Sequence, residues 1–142
     1  MSIQNNTDQI ITIVKNFHNK VFAILKICKK LDPKSNELQQ LHKLASLARD
    51  TEYLLIISRC KDKMWLHREH IINRDENFFL NNKFNQYIKD DENKSFMHSL
   101  VNVIQTGYKD ISDTEKDVLW RLVQDMLKHV IEYKKAIGDF AN

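Results

Sequence analysis

ISDTEKDVLWRLVQDMLKHVIEYKKAIG, residues 111–138, contains in one segment the start, the apolar face and the end of an α-helix. Ser112, followed three residues later by Glu115, is a capping box, in which each side chain bonds to the other residue's backbone amide. Apolar residues then recur at three- and four-residue steps, the period of a helix face that packs on a core. These positions are Val118, Leu119, Leu122, Val123, Met126, Leu127 and Val130. Lys134, Lys135 and Gly138 are typical of a helix C-terminus. The segment therefore predicts a helix with a scaffold role.

The composition favours more helices of this kind. The chain of 142 residues has two glycines and one proline, which leaves few residues for the turns of β-hairpins. Apolar residues make up 42% and are spread along the whole length, so we expect an ordered core rather than disorder. The length suits one domain. The sequence therefore predicts an all-α protein in which residues 1–142 form a single domain, one compact bundle of five to six helices.

The remaining helices are predicted from apolar spacing and caps. Thr7 or Asp8 is expected to cap a first helix that ends near Leu31. Residues 33–73 have helical spacing, but the pattern leaves open whether they form one helix or two. Asn- and Asp-rich residues 73–77 then predict a turn. Ser95 is expected to cap a further helix, which Gly107 ends.

An aromatic group follows the predicted turn. Its members are Phe78, Phe79, Phe84, Tyr87 and Phe96. Aromatic side chains at this density either fill the middle of a helical core or form a patch that binds a partner. The sequence favours the core, and the patch stays open as the alternative.

Residues 60–70, CKDKMWLHREH, contain the best candidates for a metal site. His67 and His70 are three residues apart, so on a helix they share a face, and Cys60 lies on roughly the same side. A structural zinc ion takes four ligands, and no further Cys, Asp or Glu stands nearby at a recognised spacing. We therefore predict no metal and no cofactor, and keep Cys60, His67 and His70 as an incomplete candidate set.

The same segment is the most basic part of the chain. Its candidates for nucleic-acid binding are Arg59, Lys61, Lys63, Trp65, Arg68 and Arg74. Cations beside an exposed aromatic ring can bind phosphates while a base stacks on the ring. In the alternative interpretation Trp65 belongs to the core and the cations surround it at the surface. The sequence favours this alternative, since it contains no helix-turn-helix or other recognised nucleic-acid motif.

Charge is divided unevenly between the two halves of the chain. Residues 1–74 hold 13 Lys and Arg against 7 Asp and Glu, a net charge of +6. Residues 75–142 hold 9 against 12, a net charge of −3. Such an asymmetry can attract an anionic partner, hold the two halves together, or join two copies head to tail. The sequence does not select among these three outcomes.

Catalytic patterns are missing from the sequence. Two glycines cannot build a Gly-rich phosphate loop, and neither a nucleophile elbow nor a CxxC pair is present. The acidic run Asp90, Asp91 and Glu92 stands beside Asn93 and Lys94, a composition typical of a solvated turn. We therefore expect that the protein is not an enzyme.

The cellular compartment is predicted from the first residues, the apolar segments and the cysteines. The first residues, MSIQNNTDQ, have no basic region followed by an apolar run, so we expect no secretion signal. No segment reaches the roughly 20 apolar residues of a membrane span. Cys28 and Cys60 are too few for a disulfide framework and predict free, buried thiols. The expected environment is reducing, as in cytosol or nucleus.

Residues 112–133, SDTEKDVLWRLVQDMLKHVIEY, are similar to the closing helix of small helical proteins of nucleocytoplasmic large DNA viruses. The pattern of that helix is acid-Lys-x-x-Leu/Ile-Trp-x-x-Leu/Val-Gln-x-Leu, and this chain matches it up to Gln124 but has Met126 at the final leucine position. The segments FFLNNKFNQYI and FMHSLVNVI fit the same layout, so the resemblance covers the C-terminal half. A content of 17 Lys, 13 Asn and 15 Ile suits an AT-rich genome, as some of these viruses have. The resemblance implies a small cytoplasmic or virion-associated factor, without an assigned activity or functional residues to carry over.

Three functional hypotheses follow. The first is a non-enzymatic helical interaction or structural protein of viral origin, which binds protein partners or itself in an assembly or with host factors. The second is a nucleic-acid-associated factor that uses the basic stretch from Arg59 to Arg74. The third is a small metalloprotein that uses Cys60, His67 and His70.

Overall fold

Seven α-helices and one 3-10 turn account for most of the chain that the structure describes. The structure, a computed structural model, describes residues 3–81 and 94–139, with side chains over 6–81 and 100–139. The helices are α1 (Ile3–Leu31), α2 (Asn36–Thr51), α3 (Leu55–Leu66), α4 (Arg68–Ile72), α5 (Glu76–Leu80), α6 (Lys94–Gly107) and α7 (Asp113–Ala136), with the 3-10 turn at Tyr108–Asp110. No strand occurs in these ranges, and the all-α class is confirmed. Five helices are long, whereas α4 and α5 have five residues each.

Helix α7 is the predicted closing helix, and both of its ends are as expected. The Glu115 amide donates to Ser112 Oγ at 3.1 Å, and the Ser112 amide donates to Glu115 Oε1 at 3.3 Å. At the other end Gly138 has a φ of 71°, and its amide bonds to the Lys135 carbonyl. The Asp139 amide bonds to the Lys134 carbonyl, which completes a Schellman motif. Local sequence therefore determines where this helix begins and ends.

The core forms where α1 packs along α7, the most extensive contact between two helices. On α1, Val14, Phe17 and Val21 are fully buried. On α7 the buried residues include Leu127 and Val130, which belong to the predicted apolar stripe. Burial of each such side chain contributes roughly 1.5–3 kcal/mol, so this helix pair carries a large share of the stability.

Two predicted helix starts are wrong. Thr7 and Asp8 lie inside α1, which already includes Ile3, and Thr12 Oγ1 donates to the Asp8 carbonyl. The apolar face of α1 begins only at Ile10, so the preceding polar turns give no periodic signal. Ser95 likewise lies within α6, which includes Lys94.

Residues 33–73 form three helices rather than one or two. Ser35 caps α2 by accepting a bond from the Leu38 amide at 3.1 Å. Helix α2 ends at Thr51, residues 52–54 form the connection, and α3 then begins at Leu55. The apolar run at residues 53–57 therefore spans the connection and the first turn of α3, where Ile56 and Ile57 are buried.

Gly107 ends α6 as predicted, and it also allows a close approach between helices. A Cβ atom placed on Gly107 would lie 3.2 Å from Leu31 Cδ1, at the end of α1. The following 3-10 turn places Tyr108 in the core, where its hydroxyl accepts a bond from Trp120 Nε1 at 2.9 Å. The end of α6 is thereby fixed against both α1 and α7.

Candidate functional site

The basic residues predicted to bind nucleic acid are divided between two faces of α3 and the segments that follow it. Arg59 and Lys63 are four residues apart and share one face, whereas Lys61 and Trp65 share another. Residues two apart are rotated by about 200° around the helix axis, so their side chains point in directions about 160° apart. The two faces are therefore nearly opposite. Arg68 opens α4, and Arg74 lies in the turn before α5. The structure therefore does not bring all six residues into one patch.

Lys61 is held by carboxylates on two sides. Its Nζ donates to Asp139 Oδ2 at 2.7 Å and to Asp62 Oδ1 at 3.1 Å. The hydrogen bond to Asp139 raises the pKa of Lys61, and the same bond lowers the pKa of Asp139. Binding of a phosphate by Lys61 would have to compete with these carboxylates.

Trp65 is half-buried, with a cation on one face of its ring. The Arg68 guanidinium carbon lies 4.1 Å from the ring centroid, and Arg68 Nη1 donates to the Trp65 carbonyl at 2.9 Å. The Nζ of Lys134 lies 5.9 Å from the same centroid. The ring is therefore neither a core side chain nor an open platform, since Arg68 occupies the position that a stacked base would take.

Arg74 is engaged by α7. Its Nη1 lies 2.8 Å from Asp117 Oδ1, and this hydrogen bond raises the pKa of Arg74. The backbone at Arg74 has a φ of 51°, which is uncommon for a residue other than glycine and turns the chain from α4 into α5. Arg74 thus has a structural role at this corner.

The unequal charges of the two halves meet inside one molecule. Lys20 and Asp125 approach to 3.7 Å, which adds a third pair to Arg74–Asp117 and Lys61–Asp139. All three pairs join a cation from residues 1–74 to a carboxylate from residues 75–142. These contacts are an example of one of the three outcomes that the charge pattern allowed, attraction between the two halves of one chain.

Sequence inspection missed a buried cation at the end of α7. Lys134 is 5% exposed, and its Nζ donates to Asp139 Oδ2 at 3.1 Å and lies 3.6 Å from Asp62 Oδ1. Lys134 and Lys135 were both predicted to lie in the last helical turn, and of the two only Lys135 is exposed. The Schellman motif brings Asp139 back toward Lys134 and Lys61, so the helix end and the ion pairs depend on each other.

His67 and His70 lie near each other, with ring centroids 6.3 Å apart, but Cys60 does not complete a group with them. Within the described residues no three His, Cys, Asp or Glu side chains form a group that could hold a metal ion. Cys60 is buried, and burial raises the pKa of its thiol to about 12. His70 Nδ1 lies 2.8 Å from Asp75 Oδ2, the residue that also caps α5. Cys60 is therefore part of the core, and His70 is bonded to a residue that caps a helix.

His67 is also part of the interior. It is 6% exposed, and burial, together with His70 and Lys63, lowers its pKa to about 4. The ring centroids of His67 and Phe78 are 5.1 Å apart. Its imidazole is consequently neutral at physiological pH.

Part of the aromatic group lies against the core. Phe78 and Phe79 are half-buried, and Phe79 contacts Trp120 with ring centroids 5.6 Å apart. Phe78 stacks on His70 at 3.8 Å. Phe84 and Tyr87 and the side chain of Phe96 lie outside the described residues, as does the acidic run 90–92.

The surface candidate for protein binding is the outer face of α2, defined here by Gln40, Lys43, Leu44, Leu47 and Thr51. These residues are all exposed and recur at three- and four-residue steps. Leu44 is 43% exposed and Leu47 is 61% exposed, one turn apart. The opposite face of α2 is buried against the bundle through Leu38, Leu41, Ala45 and Ala48. Helix α2 is therefore apolar on its inner face and carries two exposed leucines on its outer face.

Comparison with known proteins adds no further constraint. No protein-family model, curated protein or solved structure matches the chain. Among the helices in the described ranges, none combines the length and apolar character of a membrane span.

Proposed function

We propose that the protein is a non-enzymatic helical interaction protein, which works in an assembly by binding a helix of a protein partner through the outer face of α2. The observation that carries this proposal is the pair of exposed leucines, Leu44 and Leu47. Single exposed apolar residues are ordinary on protein surfaces, but two leucines one turn apart form a short ridge. Such ridges pack into the grooves of another helix.

The surroundings of the ridge fit a partner that is another protein. Lys43 and Gln40 lie beside the leucines, so a polar rim borders an apolar centre. Full burial of an exposed leucine side chain contributes about 1.5–3 kcal/mol, and Leu47 has most of its surface still to bury. A viral origin remains a prediction from the resemblance of residues 112–133.

The nucleic-acid alternative receives less support from the geometry. Lys61 and Arg74 are bonded to Asp139 and Asp117, and Arg68 covers Trp65. Arg59 and Lys63 lie on a different face of α3 from Lys61. The interaction hypothesis therefore ranks first.

The test compares affinity capture by three forms of the chain from the cells in which it is made, each with and without nuclease. The wild type is compared with the double variant Leu44→Glu/Leu47→Glu and with Leu66→Glu. Leu66 is 60% exposed on α3 and serves as the matched control. We expect a protein set that the wild type and Leu66→Glu retain after nuclease, and that the double variant loses. Sedimentation of the purified forms measures self-association in parallel.

Two results would refute the proposal. One is an identical set of retained proteins for the wild type and the double variant. The other is loss of every partner on nuclease treatment, which would transfer support to the basic stretch. The three changed leucines are exposed, so the variants should fold, and their helical circular dichroism must match that of the wild type.

A further inference from the structure

An apolar cavity, partly open to solvent, lies between the helices of the bundle, away from the outer face of α2. Its volume is about 110 Å³. Helices α1, α3, α4, α5, α6 and α7 and the 3-10 turn all contribute to its wall. Buried residues around it are Ile24, Met64, Ile71, Leu100, Leu119 and Met126. Protein interiors contain few voids larger than a water molecule, so a void of this size in a core is unusual.

Four polar or charged side chains in the wall are Lys63, His67, Gln105 and Tyr108, and the last two are bonded elsewhere. Gln105 Nε2 donates to the Phe79 carbonyl at 2.6 Å, and the Tyr108 hydroxyl accepts from Trp120 Nε1 at 2.9 Å. The surface that faces the cavity is nevertheless almost entirely carbon and sulfur. A buried water needs two to four polar partners, and this wall offers it few.

We propose that the cavity is a binding site for one small uncharged apolar molecule, no larger than a single aromatic ring. An engineered apolar cavity of about 150 Å³ stays dry and binds benzene or xenon, which sets the scale. At about 110 Å³ the present cavity accepts xenon directly and benzene after a small adjustment. Met64 and Met126 both line it, and flexible methionine side chains allow that adjustment.

Xenon and benzene are the probes for the test, with the full-length chain labelled with ¹³C at its methionine methyl groups. In the wild type we expect saturable shifts of the Met64 and Met126 methyl signals and a rise in Tm with either probe. Val123→Leu and Leu100→Phe add carbon atoms at the wall, so Val123→Leu should weaken the response to benzene and Leu100→Phe should weaken it further. Val103→Leu adds the same methylene as Val123→Leu but does not line the cavity, so it should respond as the wild type does.

Three results would overturn the proposal. The first is the absence of saturable methyl shifts in the wild type up to the solubility limit of benzene. The second is an equal response from the wild type and the folded Val123→Leu variant. The third is xenon density outside the cavity, or ordered water inside it, in crystals under xenon pressure. Val123→Leu adds only one carbon, so the test stands if Leu100→Phe fails to fold.

Discussion

Trp120 is the residue whose replacement tests the core most directly. It is 6% exposed, bonded to Tyr108 and in contact with the Phe79 ring. Trp120→Ala should lower the free energy of unfolding by about 3 kcal/mol or more, as for other large buried aromatic residues. Trp65→Ala is the comparison, and should have a smaller effect because Trp65 is half-buried. Denaturant melts measure both, and a loss well under about 1 kcal/mol for Trp120→Ala would contradict this account.

Lys134 tests whether the buried cation stabilises the end of α7. Lys134→Met keeps most of the aliphatic stem and removes the ammonium that bonds to Asp139. Asp139 retains Lys61 as a partner, so we expect a loss of about 1–3 kcal/mol rather than collapse of the fold. Lys135→Met, at the exposed neighbour, should stay within about 0.5 kcal/mol of the wild type in the same denaturant melts. Equal effects of the two variants would remove the argument for a specific role of Lys134.

The capping box at the start of α7 can be tested with a single substitution. Ser112→Ala removes the oxygen that accepts from the Glu115 amide, and should lower stability by about 0.5–2 kcal/mol. Thr114→Ala changes an exposed residue in the same helical turn and should have little effect. Thermal and denaturant unfolding measure both variants. Stability unchanged by Ser112→Ala would mean that the start of α7 is held by its packing alone.

Substitutions of Gly138 test the C-terminal end of α7. Its φ is 71°, and a Cβ added there would meet no atom within 4 Å. Gly138→Ala should therefore destabilise through backbone conformation alone, by about 1–2 kcal/mol. Gly138→Asn should lose less, since asparagine adopts this conformation more readily. If the two variants are equally stable, the left-handed conformation is not what limits the choice of residue.

The ends of helices could be predicted from the sequence where residues close to the end determine it. Ser112, Gly107 and Gly138 act through their own backbone and nearest turns, so the ends that they form were predicted correctly. The starts of α1 and α6 were not, because polar turns such as those before Ile10 carry no periodic signal. The break at residues 52–54 was also not resolved, since Tyr53 and Leu54 continue the apolar run across it.

The candidate sites were less predictable because they depend on contacts between distant residues. Lys61 and Asp139 are 78 residues apart, and nothing local to either one predicts their bond. Arg68 and Trp65 are close in sequence, yet their stacking depends on the turn at His67 between α3 and α4. The cavity results from the combined volumes of side chains on six helices, which no single segment encodes.

Buried histidines make the stability of the whole molecule depend on pH. The pKa of His67 is lowered from 6.5 to about 4, and burial, reinforced by Arg49, also lowers that of His18. Well above pH 6.5 both imidazoles are neutral in the folded and unfolded chains, so there they contribute no pH dependence. As the pH falls from 6.5 toward 4, the unfolded chain takes up protons that the folded chain does not bind. The unfolded state is thereby favoured, and stability falls.

The contribution of His67 to this pH dependence of stability can be isolated by comparing variants. A shift of this size corresponds to a loss of up to roughly 3 kcal/mol by pH 4, at about 1.4 kcal/mol per pKa unit. His67→Leu should therefore flatten the decline between pH 6.5 and 4, whatever its stability at neutral pH. Thr114→Ala, at an exposed position on α7 that carries no titratable group, should leave the slope as in the wild type. Urea melts at half-unit pH intervals measure the slopes, and parallel curves for the wild type and His67→Leu would show that His67 is protonated in the folded chain as readily as in the unfolded one.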